Sequence, residues 1–596
     1  MVKFPDIRPI SISGMTLLCW VMVIVPLSSL RSQNTMRPNI IMIITDDQGF
    51  GDFGFTGNPH VLTPHLDRLA SESIYFTNFH VSPVCAPTRS SLMTGRYSLR
   101  TGVHDTYNGG AIMATEEVTI AEVLSESGYR TGIFGKWHLG DNYPSRPRDQ
   151  GFETALIHLS GGMGQVGDFT TYFQGDSSYF NPILWLNDQT RKYEGYCSDI
   201  FTTAAIDFIV KQHEQPFFCY LSFNAPHTPL QVPGTYLDRY GEIDPSKGFE
   251  EEFPELQRMT ERDKDAARKV YAMVDNIDEN IGRLLMTLDS LNLSDNTWIF
   301  FLSDNGPQQI RYNGGMQGRK GSVYRGGIRV PLLVRPPGGD TTPRKTDFLA
   351  AHIDIAPTIA ELCQVHLPED RIIDGQSLIS SIIQRDSIYT DRYFFSYWSR
   401  RFPEKYHNIS LQTRQYKLLG HTDYDSPINK FELYDLDADP AEQNNLVMHK
   451  TALAQTMKAR LDSFFNALLL SQHLHEPPLI FIGHAQENPV ILNRNDAAGE
   501  RGIWSQDEIY GYWNVQIQPG IYDVRFRFLH PINTKGRMIL ETGPQIVQKS
   551  VEGHGQVLLD FNEVVLPAIT RGQLTAFLEQ DGRHILPFWI ELKKRE

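Results

Sequence analysis

Three short apolar runs, at residues 40–45, 217–223 and 298–303, show no alternation with polar positions. This pattern is typical of strands in a parallel sheet, because helices cover both faces of such a sheet. Each run is followed at once by polar residues that favour turns. The runs therefore predict three buried strands of one sheet.

Helical patterns lie between these runs. One begins at Thr63, with proline in the first turn, and another begins at a capping box of Thr119 and Glu122. A third pattern places apolar residues on one face across residues 277–285. Strands that alternate with helices predict an α/β fold with a mostly parallel sheet flanked by helices.

The sequence changes in character near residue 375. Residues 376–475 combine short strand-like segments with one helix around 450–468, which predicts a small α+β subdomain after an α/β domain at 36–375. A proline-containing linker follows at 476–478.

The last segment, residues 480–596, predicts a β-rich accessory domain similar to a sandwich. Residues 512–517 and 522–528 alternate between apolar and polar positions around Pro519 and Gly520, which predicts a β-hairpin. The aromatic residues here either stack on sugars or, as we favour, pack in the core; they are Trp504, Tyr510, Tyr512 and Trp513.

The first 32 residues predict a signal peptide. Lys3 and Arg8 precede an apolar run at 17–25, which is shorter than the roughly 20 residues of a membrane span. We therefore expect export to the periplasm or the medium and no stable membrane span, with a retained anchor as the alternative.

The amino-acid composition limits the classes of partner and the cellular location that we expect. A formal charge of −15 over 596 residues argues against a nucleic-acid partner, because such partners require a broad basic surface. The five cysteines do not form a disulfide framework; Cys197, Cys219 and Cys363 are expected to be buried apolar residues. So few cysteines favour a bacterial periplasmic or secreted protein over a lysosomal one.

Oxygen-bearing side chains follow two of the predicted strands. Asp46 and Asp47 follow the first, and Asp304 and Asn305 follow the last. Ligands of open α/β sheets bind beyond the carboxyl ends of the strands, so these four side chains should meet at one edge. The set suits a hard cation, with Ca²⁺ preferred over Mg²⁺; the alternative is that an aspartate only caps a turn.

The decisive segment begins at Cys85. Cys85, Pro87 and Arg89 match the pattern C/S-x-P/A-x-R, and this segment resembles the signature of the formylglycine sulfatases of the alkaline-phosphatase superfamily. Lys136 and His138 lie in a second matching segment, at 128–140, and point to the same side if that segment is extended.

The resemblance covers roughly residues 36–475 and implies an alkaline-phosphatase-like fold. Further matching motifs include His227 and Lys320. One departure is Arg325, which stands where relatives often carry an acidic residue, and this puts local substrate contacts in doubt.

The resemblance also implies the chemistry of Cys85. A maturase would oxidise this residue to formylglycine, whose hydrated aldehyde attacks sulfur and forms a covalent sulfated intermediate beside the metal, so that residue 85 also belongs to the metal site. Arg89 would steady the nucleophile, and His138 would take the proton of the second hydroxyl when sulfate is expelled.

The remaining site residues would act on the substrate. Lys136 and Lys320 would hold the sulfate oxygens, and His227, with help from Lys320, would protonate the leaving alcohol. The predicted substrate is a sulfated carbohydrate or an aryl sulfate. The alternatives are a phosphonate or phosphate monoester hydrolase on the same scaffold, and a non-catalytic protein that binds sulfated glycans.

Overall fold

The computed structural model describes residues 37–249, 251, 253–339, 344–383, 392–400, 402–422, 425–500, 506–543 and 545–596. The predicted signal peptide and Trp504 lie outside the described residues. Among the helices of the described part, none has the length and the apolar character needed to cross a membrane.

A large mixed sheet forms the centre of the molecule. Its strands are β1 (Asn39–Thr45), β2 (Ile74–His80), β3 (Arg130–Lys136), β4 (Thr154–His158), β5 (Ile183–Leu186), β6 (Gln189–Lys192), β7 (Phe217–Ser222), β8 (Thr297–Ser303), β9 (Arg329–Arg335), β10 (Arg344–Thr346) and β11 (Ala350–Ala351). Their order is β10-β2-β9-β8-β1-β7-β3-β4-β5-β6, with β11 beside β2. The strands β8, β1, β7, β3 and β4 are parallel neighbours.

The three predicted strands are therefore confirmed and lie side by side. Thr45 pairs with Ser303, and Ile44 pairs with Ser222, so β1, β7 and β8 end at the same level. This register brings the residues that follow each strand to one edge of the sheet.

Helices cover both faces of the sheet. The α-helices of the described residues are α1 (Pro64–Ser71), α2 (Cys85–Thr94), α3 (Ile120–Glu126), α4 (Cys197–Gln212), α5 (Gly234–Leu237), α6 (Pro254–Gln257), α7 (Glu261–Ser290), α8 (Arg325–Ile328), α9 (Ile355–Cys363), α10 (Ile379–Ile383), α11 (Thr451–Leu469) and α12 (Gln472–His475). The helices α1, α4 and α7 pack together on one face, and α2, α3 and α9 pack on the other. Alternate residues of β1 enter the two cores, Ile40 on one side and Ile41 on the other. The predicted α/β fold is confirmed.

A smaller antiparallel sheet follows the central one. It contains β12 (Phe394–Tyr397), β13 (Ile409–Gln412), β14 (Tyr416–Gly420) and β15 (Glu432–Asp435), in that order. The helix α11 packs against it and confirms the helix expected around 450–468. The core of this sheet also contains Tyr97 and Ile353, so it is continuous with earlier parts of the chain.

Two sheets face each other in the last part of the chain. Their strands are β16 (Ile480–Ile482), β17 (Val490–Asn493), β18 (Ala498–Gly499), β19 (Gly511–Ile517), β20 (Gly520–Ile532), β21 (Gly536–Thr542), β22 (Gln545–Val551), β23 (Gln556–Leu566), β24 (Ile569–Gln580), β25 (Arg583–Ile585) and β26 (Trp589–Lys594). One sheet has the order β16-β19-β24-β21-β22, and the other has the order β17-β26-β20-β23. The apolar faces of both sheets share one core, which confirms the sandwich-like arrangement.

The predicted hairpin is wrong. The strand β19 pairs with β24, whereas β20 pairs with β23 and β26, so the two strands belong to opposite sheets. The turn at Pro519 and Gly520 crosses from one sheet to the other, and Trp513 and Phe526 meet in the shared core. Local alternation predicts one buried face for each strand but does not reveal which strand pairs with it. Full burial of Trp513 agrees with the expected core role of this side chain. The same expectation is wrong for Tyr510, which is 47% exposed, and Tyr512 is only partly buried.

Candidate active site

The four predicted oxygen ligands meet at the edge where β1 and β8 end. Asp46, Asp47, Asp304 and Asn305 are all fully buried. The amide of Asp47 donates a hydrogen bond to Asp304 Oδ1 at 3.2 Å, and Asn305 Nδ2 donates one to Asp47 Oδ1 at 2.7 Å. The strand register therefore assembles this cluster from residues more than 250 positions apart.

Two lysines reach into the cluster. Lys136 Nζ lies 2.6 Å from Asp46 Oδ2, and Lys320 Nζ lies 2.7 Å from Asp47 Oδ1. Burial opposes charge on both members of the second pair, but their mutual attraction holds the pKa of Asp47 below its ordinary value and that of Lys320 above it. Both members of that pair are charged at neutral pH.

The signature segment forms the first half of α2, with Cys85 as its first residue. The guanidinium of Arg89 is buried and donates to Asp304 Oδ2 through Nη2 at 2.7 Å and through Nε at 3.1 Å. It also donates to the carbonyl of Lys136 at 3.1 Å and to Ser222 Oγ at 2.6 Å. Arg89 thus holds a candidate metal ligand and ties α2 to two strand ends.

His138 lies beside the residue expected to become the nucleophile. Its Nδ1 is 3.4 Å from Cys85 Sγ, and its Nε2 is 2.7 Å from the carbonyl of Thr106. A carbonyl only accepts, so Nε2 carries the proton and the Nδ1 lone pair faces Cys85. Burial and Lys136 hold the pKa of His138 far below its ordinary value.

The condition for alternation, an extended segment as far as His138, is not met. The strand β3 ends at Lys136, and His138 has a φ of 63°, in the left-handed region. This turn, rather than strand alternation, brings the two side chains to the same site.

His227 follows β7 and lies on the other side of the cluster. Its Nδ1 donates to the carbonyl of Thr228 at 2.7 Å, which leaves Nε2 at 3.8 Å from Asp47 Oδ2. Burial, together with the charge of Lys320, lowers the pKa of His227 to about 3. The resting imidazole is therefore neutral.

A cavity of about 550 Å³ opens onto this cluster. Predicted site residues line its inner part: Cys85, His138, His227 and Lys320. Side chains that the sequence did not single out line the remainder: Thr106, Tyr107, Gln165, Thr228, Gln308, Trp398, Arg400 and Asn495. The volume lies within the range of about 300–1,000 Å³ for small-molecule sites.

The residues present suit a hard cation. Asp46 Oδ1, Asp47 Oδ2 and Asn305 Oδ1 are buried oxygens with no hydrogen-bond partner among the described residues. Ligand atoms of Asp46, Asp47 and His227 lie within 4.8 Å of one another, as do those of Asp46, Cys85 and Asp304. Burial, together with the charge of Asp46, raises the pKa of Asp304 against the pull of Arg89. A cation would relieve this repulsion between carboxylates.

Sequence reasoning missed Arg311 and Asp52. Arg311 Nη2 donates to the carbonyl of Asp47 at 2.6 Å, and the same guanidinium pairs with Asp52. Asp47 has a φ of 65°, so this contact supports a left-handed backbone at a candidate ligand. Neither residue lies in a recognisable metal or catalytic motif.

Comparison with known proteins identifies the family. The model of the sulfatase family matches residues 38–365, a range that includes every predicted site residue. The chain belongs to the sulfatase family. A second model, described as the C-terminal region of N-sulphoglucosamine sulphohydrolase, matches residues 319–467.

Individual sulfatases are similar over most of the chain. The N-acetylgalactosamine-6-sulfatase of Mus musculus is 30% identical over 63% of this chain and 72% of its own length. The N-acetylgalactosamine-6-O-sulfatase of Bacteroides thetaiotaomicron is 29% identical over 73% and 94%, respectively. Among solved structures, Ps i-CgsB in complex with k-i-k-neocarrahexaose has a TM-score of 0.63 and 27% identity, over 74% of this chain and 95% of that one. The protein is thus an enzyme, a sulfatase.

Proposed function

We propose that this sulfatase removes sulfate from a sulfated carbohydrate by means of a formylglycine made from Cys85 and a bound Ca²⁺. The observation that carries the proposal is the contact of Cys85 Sγ with His138 Nδ1 inside the cavity that Lys320 and His227 also line. The names of the similar enzymes support a carbohydrate substrate, since they include sulfatases of N-acetylgalactosamine and a complex with a neocarrahexaose.

The proposed metal ligands are Asp46, Asp47, Asp304 and Asn305, with residue 85 facing the same ion. The unpartnered oxygens support a hard cation that prefers oxygen ligands; Ca²⁺ is our first choice and Mg²⁺ our second. The ion would supply positive charge that polarises a sulfate oxygen.

Conversion of Cys85 to formylglycine would supply a hydrated aldehyde with two hydroxyls. Burial raises the pKa of the Cys85 thiol, which disfavours the thiolate that an unmodified cysteine nucleophile would require. The proposal therefore includes a maturase as a partner.

The chain's own residues divide the remaining work. Lys136 and Lys320 are placed to bind the sulfonyl oxygens, because each Nζ already lies on a carboxylate of the cluster. The lone pair of His138 Nδ1 is placed to accept a proton from a hydroxyl at residue 85. Arg89 fixes Asp304 and the end of β3, which positions these groups relative to one another.

Protonation of the leaving alcohol is assigned to His227 Nε2, with Lys320 beside it. The neutral ring carries its proton on Nδ1, so Nε2 can donate only after it has itself been protonated. The anionic ester favours that protonation because it raises the basicity of the ring. Lys320 is protonated in the resting site and can supply or share that proton.

We also propose the domain division and the location of the protein. Residues 36–375 would form the catalytic domain, 376–475 its C-terminal subdomain and 480–596 an accessory domain. The leader predicted at residues 1–32 supports export to the periplasm or the medium.

Sulfate release from defined sulfated oligosaccharides tests the function. The enzyme, made in a host with a maturase, should hydrolyse a sulfated sugar and an aryl sulfate faster than the phosphate and phosphonate esters of the same alcohols. Cys85→Ala should abolish turnover, whereas Cys363→Ala, at another buried cysteine, should leave it unchanged. A peptide that spans residue 85 should show the mass change of thiol-to-aldehyde conversion.

Three results would contradict the proposal. A thiol at residue 85 in fully active enzyme would exclude the proposed nucleophile. Faster cleavage of the phosphate or phosphonate esters would favour the alternative hydrolase. Oligosaccharide binding without sulfate release would favour a binding protein.

A further inference from the structure

The outer part of the active-site cavity is formed by three separate regions of the chain. Tyr107 comes from the segment between α2 and α3, Trp398 and Arg400 follow β12, and Asn495 follows β17 of the C-terminal sandwich. Residue 495 lies beyond both family matches, which end at residues 365 and 467. The substrate cavity therefore includes a side chain from the accessory part of this chain.

Arg400 is a positioned cation at the mouth of this cavity. Its guanidinium carbon lies 5.0 Å from the ring centres of both Tyr107 and Trp398, and its side chain is 43% exposed. Asp105 Oδ1 is 3.9 Å away, too far for a direct hydrogen bond, and the guanidinium donates no hydrogen bond to the described residues. Two aromatic rings thus orient a planar group that lines the cavity.

The geometry of such a group selects its ligand. A guanidinium binds a carboxylate or a sulfate through two parallel hydrogen bonds, and this pairing is stronger and more directional than a contact with a neutral hydroxyl. Lys320, at the inner end of the same cavity, is assigned to the sulfate that is cleaved. Arg400 is therefore suited to a second anionic group, distinct from the sulfate that is cleaved.

Asn495 is built into the site rather than placed there by a loose loop. Its carbonyl accepts a hydrogen bond from the amide of Gly109 at 3.2 Å. A Cβ at Gly167 would lie 2.6 Å from that of Asn495, so only glycine permits this approach. Asn493, two residues earlier, donates to Asp141 Oδ2 at 2.8 Å and accepts from Trp513 Nε1 at 2.7 Å. The sandwich core thus anchors the loop that carries Asn495.

We propose that the outer cavity is a subsite for a leaving-group saccharide that bears a second anionic group. Arg400 binds that carboxylate or sulfate ester, and the Asn495 amide contacts the adjoining sugar hydroxyls. This inference rests on the proposed sulfatase function and adds a substrate class to it. It also gives the C-terminal sandwich a part in substrate selection.

Three oligosaccharides that carry the same cleavable sulfate test the subsite. The neighbouring unit is neutral in the first, a uronate in the second and sulfated in the third; an aryl sulfate serves as a substrate without a sugar. The wild-type enzyme should prefer one or both anionic substrates over the neutral one by about tenfold or more in kcat/KM, mainly through KM. The comparison of the second and third substrates shows which anion is taken.

Variants assign the preference to particular side chains. Arg400→Gln should remove the preference, and Arg400→Lys should restore only part of it, because an ammonium lacks the bidentate geometry. Arg414→Gln, at a side chain that is 40% exposed and paired with Asp437, is the matched control and should retain it. Added salt should weaken the preference in the wild-type enzyme and have little effect on Arg400→Gln.

Asn495→Ala should raise KM for all three oligosaccharides by a larger factor than it raises KM for the aryl sulfate. A thermal melt checks that the variant is folded. Equal losses on sugar and aryl substrates would contradict the role of Asn495.

The two proposals fail in different ways. A wild-type enzyme that releases no sulfate from any substrate would overturn the proposed function. A wild-type enzyme that is active but indifferent to the second anion, or an Arg400→Gln variant with equal losses on neutral and anionic sugars, would overturn the subsite alone.

Discussion

Arg311 and Asp52 form a fully buried ion pair directly beneath the candidate metal ligand Asp47. Arg311 Nε and Nη2 lie 2.8 and 2.7 Å from the two Asp52 carboxylate oxygens, and Nη2 also donates to the carbonyl of Asp47. A non-glycine residue in the left-handed region costs about 1–3 kcal/mol and persists only where its surroundings hold it. The pair therefore positions Asp47 and does not itself take part in the reaction.

Loss of either partner should weaken both the fold and the metal site. Arg311→Met leaves the Asp52 carboxylate buried without its cation, so urea unfolding should show a loss of about 3–5 kcal/mol. Calcium affinity, measured by calorimetry on the folded variant, should fall as well. Arg414→Gln breaks exposed ion pairs with Asp347 and Asp437 and should cost about 0–1 kcal/mol. Unchanged calcium affinity in Arg311→Met would remove the positioning role.

The sequence predicts those site residues that occur at strand ends or in family motifs. Asp46 and Asp304 could be predicted because parallel strands in register end at one edge, a rule that needs no tertiary detail. Cys85 and Lys136 stand in recognisable segments. Arg311 lies in an irregular loop after β8, where no periodicity marks its contact with Asp52.

Tertiary packing decides the remainder. Asn495 reaches the cavity because Trp513 and Asp141 fix its loop, and no local pattern contains that information. The wrong hairpin has the same origin. Alternation in β19 and β20 shows that each strand has one buried face. The sandwich buries these two faces against each other from opposite sheets, so the two strands do not pair.

Replacement of His227 should depend on the leaving group. General acid catalysis contributes about 10²–10⁴-fold, and a poor leaving group such as a sugar alcohol needs it most. His227→Ala should therefore reduce kcat/KM for alkyl and sugar sulfates by a much larger factor than for activated aryl sulfates. Because Nε2 lies 3.8 Å from Asp47 Oδ2, the assays should use saturating calcium. Equal losses on both substrate classes would instead indicate a role in the metal site.

Removal of the proposed calcium ion should reduce both activity and stability. Chelation would leave three carboxylates, those of Asp46, Asp47 and Asp304, with only side-chain cations to balance them. A metal present at 100 times its Kd stabilises the folded state by about 2.7 kcal/mol, which should appear as a shift in Tm. Calcium should restore activity better than magnesium, and Asp304→Asn should abolish that response. Full activity after exhaustive chelation would exclude a catalytic metal.

The loop that carries Asn495 should make stability depend on pH. Asp141 and Asp496 are buried close together, and the amide of Asp141 donates to Asp496 Oδ2 at 3.2 Å. Burial, with the charge of Asp496, raises the pKa of Asp141, and burial raises that of Asp496 above its ordinary value of 3.8. Between pH 3.8 and the raised pKa values of the two carboxyls, the folded state therefore holds more protons than the unfolded state. The free energy of unfolding should fall as the pH rises through this range.

Asp496→Asn separates this contribution from the others. Asparagine retains an oxygen that can accept from the amide of Asp141 but carries no charge at any pH, so the variant should lose less stability between about pH 4.5 and about pH 7.5 than the wild-type enzyme. Urea unfolding at the two pH values measures the difference, and Asp437→Asn, at an exposed carboxylate, provides the control. If the free energy of unfolding varies with pH in parallel for wild type and Asp496→Asn, the two buried carboxyls do not cause the pH dependence. A second measurement connects the docking of this loop to the subsite. If the stability of Asp496→Asn varies less with pH than that of the wild-type enzyme, KM of the wild-type enzyme for the oligosaccharides should rise at high pH.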